Sequence, residues 1–398
     1  MLILVEIIWD IRQKRKSHEG KYRLNDALTN ISCGILDQVS GIFSKILVIG
    51  AYVIAFELAG EFRSWSIPSS GFWWALTFIA VDFAYYWSHR ISHSVNLFWL
   101  GHVVHHQSED YNLSVALRQG LLQKVFMFWI YLPLAFLGFP PEWFVLCMAF
   151  NLLYQFWIHT EVIDKMGAFE AVMNTPSHHR VHHGRNPEYI DKNHAGVFII
   201  WDRMFGTFAQ ETIRPTYGIT APTESFNPII AHTKPFVQLA HEVSTVSGFM
   251  DKLRMVFMPP GWYPASMGGV KPPPPITGDE VKYNRTIPKN LNVYIIVQYI
   301  IVLGITSGFL FTFQEYNTNL QVAFAAAIAF FVFTLGDVLD KNPRGKYLEI
   351  LRLLLICGIA SYAAFAGSPL FYILSAISGL SLLWFLQIQK SISDEIRD

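Results

Sequence analysis

The chain has 398 residues, 52% of them hydrophobic and only 15% charged, with a formal net charge of zero. A soluble domain is about a quarter charged, so a string of soluble domains is excluded, and neutrality excludes a nucleic-acid binder or a protein held to membranes by a polybasic surface alone. Cys33, Cys147 and Cys357 stand singly with no CxxC pair, which excludes a disulfide framework and a thiolate metal site.

The opening MLILVEIIW is apolar but too short to cross a bilayer and lacks a signal-peptide cleavage site. It reads as an interfacial helix or as the remnant of a longer N-terminal segment. Apolar runs near the roughly 20 residues of a membrane span follow at 41–60, 71–88, 121–139 and 143–160, then at 292–313, 320–337, 349–367 and 369–387. The turns LGFPPEW and FAGSPLF close two helical hairpins. Between the two sets of four lies a polar stretch, 161–291, in which KPPPP at 271–275 reads as an extended linker. The predicted fold is therefore all-α, a multi-pass membrane protein of about eight transmembrane helices with a cytoplasmic, histidine-rich helical cap. Its predicted parts are an N-terminal cytoplasmic or interfacial segment (1–40), a membrane domain carrying the histidines (41–215), a cytoplasmic segment (216–291), a four-helix membrane domain (292–387) and a tail (388–398).

Orientation follows from lysine and arginine. With a cytoplasmic N-terminus, 26 of the 30 lie in cytoplasmic segments, Lys45, Lys124 and Arg352 sit at cytoplasmic span ends, and only Arg63 is external. The histidine-rich segments then share one face of the membrane. Which membrane, endoplasmic reticulum or bacterial inner membrane, these residues leave open.

Most of the fourteen histidines are patterned. His89 and His93 form HxxxH where the second span leaves the bilayer, and spacing i, i+4 places both on one helix face. His102, His105 and His106 form HxxHH, and His179, His182 and His183 repeat it in TPSHHRVHHGRN. A lone histidine in an apolar protein is usually a hydrogen-bonded packing residue. Three same-face groups on one membrane side are hard to obtain from packing, because each buried imidazole would need its own partner, and neutral imidazole is the commonest metal ligand. Eight imidazoles overfill a zinc site, which takes about four ligands, so two ions are implied, and nitrogen donors favour iron over magnesium or calcium. Such a centre suits dioxygen-dependent attack on the C–H bonds of a lipid.

His159 is a further candidate ligand, weighed equally against an interfacial capping role. His178 precedes the third group but projects about 100° from His179 on a helix; His194 is either a ligand or a loop residue, and His18, His232 and His241 read as polar surface. Asp82, ionisable and inside a span, is expensive unless paired and is the first candidate to orient a ligating imidazole. Glu161, Asp191 and Asn193 are candidates for the same role. The run WWALTFIAVDFAYYW reads as an interfacial aromatic belt.

The phrases DFAYYWSHRISH, GHVVHHQSEDYNLSVALRQ and HHRVHHGRNPEYIDKNHAGVFIIWDRMFGTF resemble the fatty acid hydroxylase and sterol desaturase superfamily of membrane di-iron oxygenases, over about residues 30–215. Within it NTPSHHRVHHGRNPEYIDKN, QFWIHTE and the extra C-terminal spans look most like the branch that cleaves the ether bond of alkylglycerols. The resemblance implies two irons held by His89, His93, His102, His105, His106, His179, His182 and His183, with His159 added. It also implies dioxygen as co-substrate, tetrahydrobiopterin as reductant, and a membrane lipid cleaved to fatty aldehyde and glycerol. One departure is Asn193-His194-Ala195-Gly196, where the family usually has tyrosine after the asparagine. Sibling sterol and fatty acyl branches draw electrons from a donor protein. This chain shows no HPGG, no GxGxxG and no cysteine cluster, so a separate protein or a diffusible reductant is expected.

Two other classes compete. A zinc hydrolase is disfavoured by the histidine count and the missing HExxH. A metal transporter or sensor would place its ligands near the bilayer midplane between broken helices, whereas these groups lie just beyond span ends.

Overall fold

The computed structural model describes residues 2–17, 21–365 and 370–389. The predicted turn FAGSPLF at its residues 366–369, His18 and the tail from residue 390 lie outside them. The described residues are helical without a strand: α1 (Leu2–Ser17), α2 (Leu24–Gly60), α3 (Gly71–Ser94), α4 (Asn96–His106), α5 (Gln123–Met127), α6 (Leu132–Leu137), α7 (Pro141–Trp157), α8 (Pro176–His182), α9 (Ile200–Met204), α10 (Pro228–Thr245), α11 (Phe249–Phe257), α12 (Lys289–Thr312), α13 (Thr318–Leu339), α14 (Pro343–Phe365) and α15 (Leu370–Ile388). They form two compact units, one of Met1–Thr223 with His232–Lys282, the other of Glu224–Ala231 with Tyr283–Asp398.

Among the described residues, α2, α12 with the turn after it, and α13 are long and apolar enough to cross a membrane. The first predicted span is the second half of the longer α2. The first half of α2 is buried by polar side chains: Asp26 accepts from Ser108 Oγ at 2.5 Å and from Asn30 Nδ2 at 3.0 Å, and Asn30 Oδ1 accepts from Arg118 at 3.1 Å. The run 121–139 is not one helix but α5, a 3-10 turn at Phe128–Tyr131, and α6. Pro133 accounts for the break, since it lacks an N–H and its ring collides with the carbonyl four residues back.

In the first unit α3 packs on α4 and α7, and α2 on α6. Tyr52 stacks on Phe144 with centroids 4.1 Å apart, and Trp74 on Trp143 at 4.5 Å. The residues around 120 cross α4 so closely that a Cβ on Gly120 would lie 1.8 Å from the Gly101 carbonyl oxygen, so only glycine fits. The KPPPP run is extended, yet it is a wall of the cavity described below as well as a connection.

In the second unit α14 packs on α13 and α15. Its core holds a buried pair of charges. Arg352 and Glu349 are fully buried, paired at 2.6 and 2.8 Å. Arg352 also donates to Gln298 Oε1 at 2.7 Å, Gln298 donates to Ser381 at 3.0 Å, and the Tyr294 hydroxyl donates to Glu349.

Candidate metal centre

Four short stretches of the first unit bring nine imidazoles together. α3 supplies His89 and His93, α4 supplies His102, His105 and His106, the turn after α7 supplies His159, and α8 with its C-terminal cap supplies His179, His182 and His183. α8 starts on Pro176, whose fixed φ and missing N–H suit the first helical position. All nine rings are buried.

They divide into two donor sets. His89, His93, His102, His106 and His182 form one, His105, His159, His179 and His183 the other, and within each set the donor atoms lie within 4.8 Å of one another. Each HxxHH is therefore shared between the sets. On a helix, residues i and i+4 project about 40° apart while i+3 and i+4 differ by about 100°. His102 and His106 thus go together and His105 turns to the other set; His179 and His183 go together and His182 crosses over. A shared wall results, with the His106 and His183 rings stacked at 4.4 Å.

The backbone fixes which nitrogen points inward. The Nδ1–H groups of His89, His105, His159 and His182 donate to the carbonyl oxygens of His194 (2.8 Å), Arg118 (2.8 Å), Gln155 (2.7 Å) and Lys192 (2.9 Å). Their Nε2 lone pairs are then free to bind a cation. In the second set the Nε2 atoms of His105 and His159 face each other at 3.3 Å with both Nδ1 positions already donating, so neither ring has a proton to place between them. Two lone pairs so opposed repel unless a cation lies between them. Further buried nitrogens without a hydrogen-bond partner are His93 Nε2, His102 Nδ1, His179 Nδ1, His182 Nε2 and His183 Nε2. The donor set therefore fits two metal ions. Burial, and then the neighbouring imidazoles, hold His102, His106, His179, His182 and His183 well below the usual histidine range, and burial brings His105 to about 4, so these rings are neutral donors at neutral pH.

The remaining candidates fall elsewhere. His178 lies in neither set and packs edge-on against Phe208. His194 groups with His93 and Asp191, while its main chain supports His89. Asp191 Oδ1 is 3.4 Å from His93 Nδ1. Asp82 touches no imidazole: it accepts from Asn151 Nδ2 (2.6 Å) and Val197 N (2.8 Å) on Oδ1, and from Phe198 N (3.1 Å) and Trp201 Nε1 (2.8 Å) on Oδ2. It thereby pins the segment that carries the His194 carbonyl. Asn193 bonds to the main chain of His178 and Ala209, and Glu161 pairs with Lys21 (2.5 Å) and Arg214 (2.7 Å). His232, expected at the surface, is buried, its Nε2 3.2 Å from the Gln119 carbonyl.

Several supports carry no sequence pattern. Asp202 accepts from the backbone N–H groups of His194 and Ala195, both at 2.8 Å. Arg118 is buried, donates to the Val104 carbonyl at 2.7 Å and to Gln107 at 2.8 Å, and offers its own carbonyl to His105. Arg180, inside the third histidine group, is fully buried against Glu211 at 2.7 Å. A cavity of about 400 Å³ opens on the centre, lined by His93, His106, His182 and His183 together with Trp99, Ile219, Trp262, Tyr263 and Pro272–Pro274, and by Arg185, Lys234 and Glu242. Its size is that of a small-molecule site, and its lining is mixed.

Residues 74–207 match the fatty acid hydroxylase family model. The chain is 40% identical to the alkylglycerol monooxygenase of Homo sapiens over 362 residues, 89% of this chain and 78% of the relative. It is 34% identical to that of Caenorhabditis elegans over 373 residues, 87% and 72% of the two chains. Similarity to the ornithine lipid hydroxylase OlsE of Rhizobium tropici is 26% over 149 residues, 35% of this chain and 45% of that one. No solved structure matches.

Proposed function

Because the chain belongs to the alkylglycerol monooxygenase family and is an iron-dependent lipid monooxygenase with a fatty acid hydroxylase domain, we propose that it cleaves the O-alkyl bond of alkylglycerols. The reaction inserts one atom of dioxygen into the C–H bond beside the ether oxygen. The other atom leaves as water, with two electrons and two protons from a reductant, here assigned to tetrahydrobiopterin. The resulting hemiacetal collapses, its hydroxyl proton passing to the departing glycerol oxygen, to a fatty aldehyde and glycerol.

The observation that carries this reading is the pair of donor sets, five and four buried imidazoles whose donor nitrogens lie within 4.8 Å of one another in each set. His89, His93, His102, His106 and His182 would hold one iron and His105, His159, His179 and His183 the other. Bound there, the irons supply dioxygen activation. The chain's own part is to orient and enclose. Carbonyls of Arg118, Gln155, Lys192 and His194 keep four rings in one tautomer. Asp82 and Asp202 fix the 193–201 segment, and Asp191 steadies His93. The cavity beside the first set would seat the ether carbon near the centre while the alkyl tail stays in the bilayer.

The same reading extends to the membrane. Eight spans, a histidine domain at 41–215, a C-terminal bundle at 292–387 and a cytoplasmic cap are supported by the hydropathy runs and the lysine and arginine bias. Membranes containing the protein, given ferrous iron, dioxygen, tetrahydrobiopterin and an alkylglycerol, should release fatty aldehyde, and His182→Ala should release none. Iron-loaded protein that makes no aldehyde would move the assignment to a sterol or fatty acyl substrate with a protein electron donor.

A further inference from the structure

Helix α1 is turned the wrong way round for water. Its two carboxylates, Glu6 and Asp10, are the most buried among its described side chains, at 7% and 4% exposure. Leu2, Leu4, Val5, Ile8 and Ile11 face outward, with Leu4 at 64% and Ile8 at 52%. An amphipathic helix on an aqueous surface does the opposite, laying its apolar stripe on the core and its charges in solvent. Outward aliphatic residues over inward acids are favourable where the medium outside is hydrocarbon.

The inward acids are well placed. Glu6 accepts from the hydroxyls of Tyr22 and Thr160 and from the backbone N–H of Leu113 at 2.8 Å, and Asp10 accepts from Lys21 N at 2.8 Å. Thr160 directly follows His159. The face of α1 turned to the protein is thus fastened beside the second donor set by hydrogen bonds that leave its aliphatic face free. In sequence this helix ends in RQKRK, residues 12–16, four cations in five positions, a composition that attracts anionic lipid headgroups.

We infer that α1 lies along the surface of an anionic bilayer, its aliphatic stripe at the boundary of headgroups and acyl chains and its basic end on the headgroups, and that Glu6 braces this lipid contact against the turn carrying His159. The inference rests on the integral-membrane reading and not on the choice of substrate.

The test is a depth measurement on the full chain. Cys33 and Cys147 are buried, so Cys357→Ser with Ile8→Cys gives one reactive thiol for an environment-sensitive nitrobenzoxadiazole dye. The labelled protein is placed in nanodiscs of phosphatidylcholine, with or without phosphatidylglycerol, carrying nitroxides at the shallow 5-position or the deep 16-position of the acyl chain. The shallow nitroxide should quench about twofold more than the deep one. Iodide should quench Ile8→Cys less than a dye at the exposed Asp279→Cys. Phosphatidylglycerol should strengthen the shallow quenching, and Arg12→Gln with Lys14→Gln should abolish that gain. Stronger quenching from the deep position would make α1 part of a span. Iodide quenching without nitroxide quenching would place it in water. Either result overturns the inference. Iron per chain reports folding independently of activity, and Leu4→Cys repeats the measurement should Ile8→Cys lose its iron.

Discussion

Asp82→Asn is the sharpest probe of how the centre is held, because the substitution keeps shape and removes only acceptors. The carboxylate divides its four bonds evenly, Asn151 and Val197 on one oxygen, Phe198 and Trp201 on the other. An amide keeps one oxygen and turns an NH2 toward the other pair, so two buried donors face a donor. Each such loss costs about 1–3 kcal/mol, hence roughly 2–6 kcal/mol in all, with the lower end favoured because a neutral amide is cheaper to bury. That is a large part of a typical net stability of about 5–15 kcal/mol. The loss falls on the segment whose His194 carbonyl holds His89, so iron affinity should drop about 10–100-fold, the usual effect of removing an outer support. Iron per chain at graded free ferrous iron, with apparent melting temperature, measures both. Wild-type iron binding and melting in Asp82→Asn would sink the argument that this carboxylate positions the centre through the 197–201 segment.

Three further outcomes follow from the geometry. His159→Ala should lose about half of the bound iron, since it removes one of four donors in its set, whereas His178→Ala should keep both ions; equal iron in the two variants would contradict the partition. Arg352→Met leaves Glu349 buried and unpaired, at a cost of about 3–5 kcal/mol, while Glu349→Leu with Arg352→Met should recover most of it; apparent melting temperatures that rank the double variant below the single one would refute the pairing argument. In the iron-free protein the folded His105 titrates near 4 against about 6.5 when unfolded. Its neutral, buried form contributes stability that is complete above pH 6.5 and is lost as pH falls toward 4. At about 1.4 kcal/mol per pH unit, this one ring accounts for roughly 3 kcal/mol. A flat melting profile between pH 7 and 5 would show that the rings are not held as described.

Much of this was legible in the spacings. The HxxxH and HxxHH groups named eight of the nine converging rings, and hydropathy found the apolar helices. What the sequence left open depended on relations between distant residues. His159 sits alone in QFWIHTE, and only the fold carries its Nε2 to 3.0 Å from that of His179. Same-face spacing could not say that His105 and His106 part company, because that depends on where the second set of donors arrives. The segment LEILRLLL holds Glu349 and Arg352 three apart, a spacing that permits pairing on one helix, but an apolar run with two charges reads equally well as a span end. In α1 the letters LILVEIIWD are apolar with two acids, and periodicity alone does not tell which side faces outward. The run 121–139 is unbroken in its apolar residues from Val125 to Leu137, and Pro133 was the local mark of its break.

The four carbonyls that hold imidazoles give the centre an unusual blindness to side-chain exchange. Alanine at Arg118, Gln155, Lys192 or His194 still presents the same C=O, so scanning those positions one by one would register only whatever else each side chain does. What such a site tolerates poorly is a shift of register. One residue inserted into 184–193, or a proline that turns the peptide after Lys192, would move the acceptor while leaving every ligand in place. Loop length between the third histidine group and Asp202 therefore tells more about whether a relative can fill its centre than the letters inside that loop, because it is the main-chain carbonyl of residue 194 that holds His89.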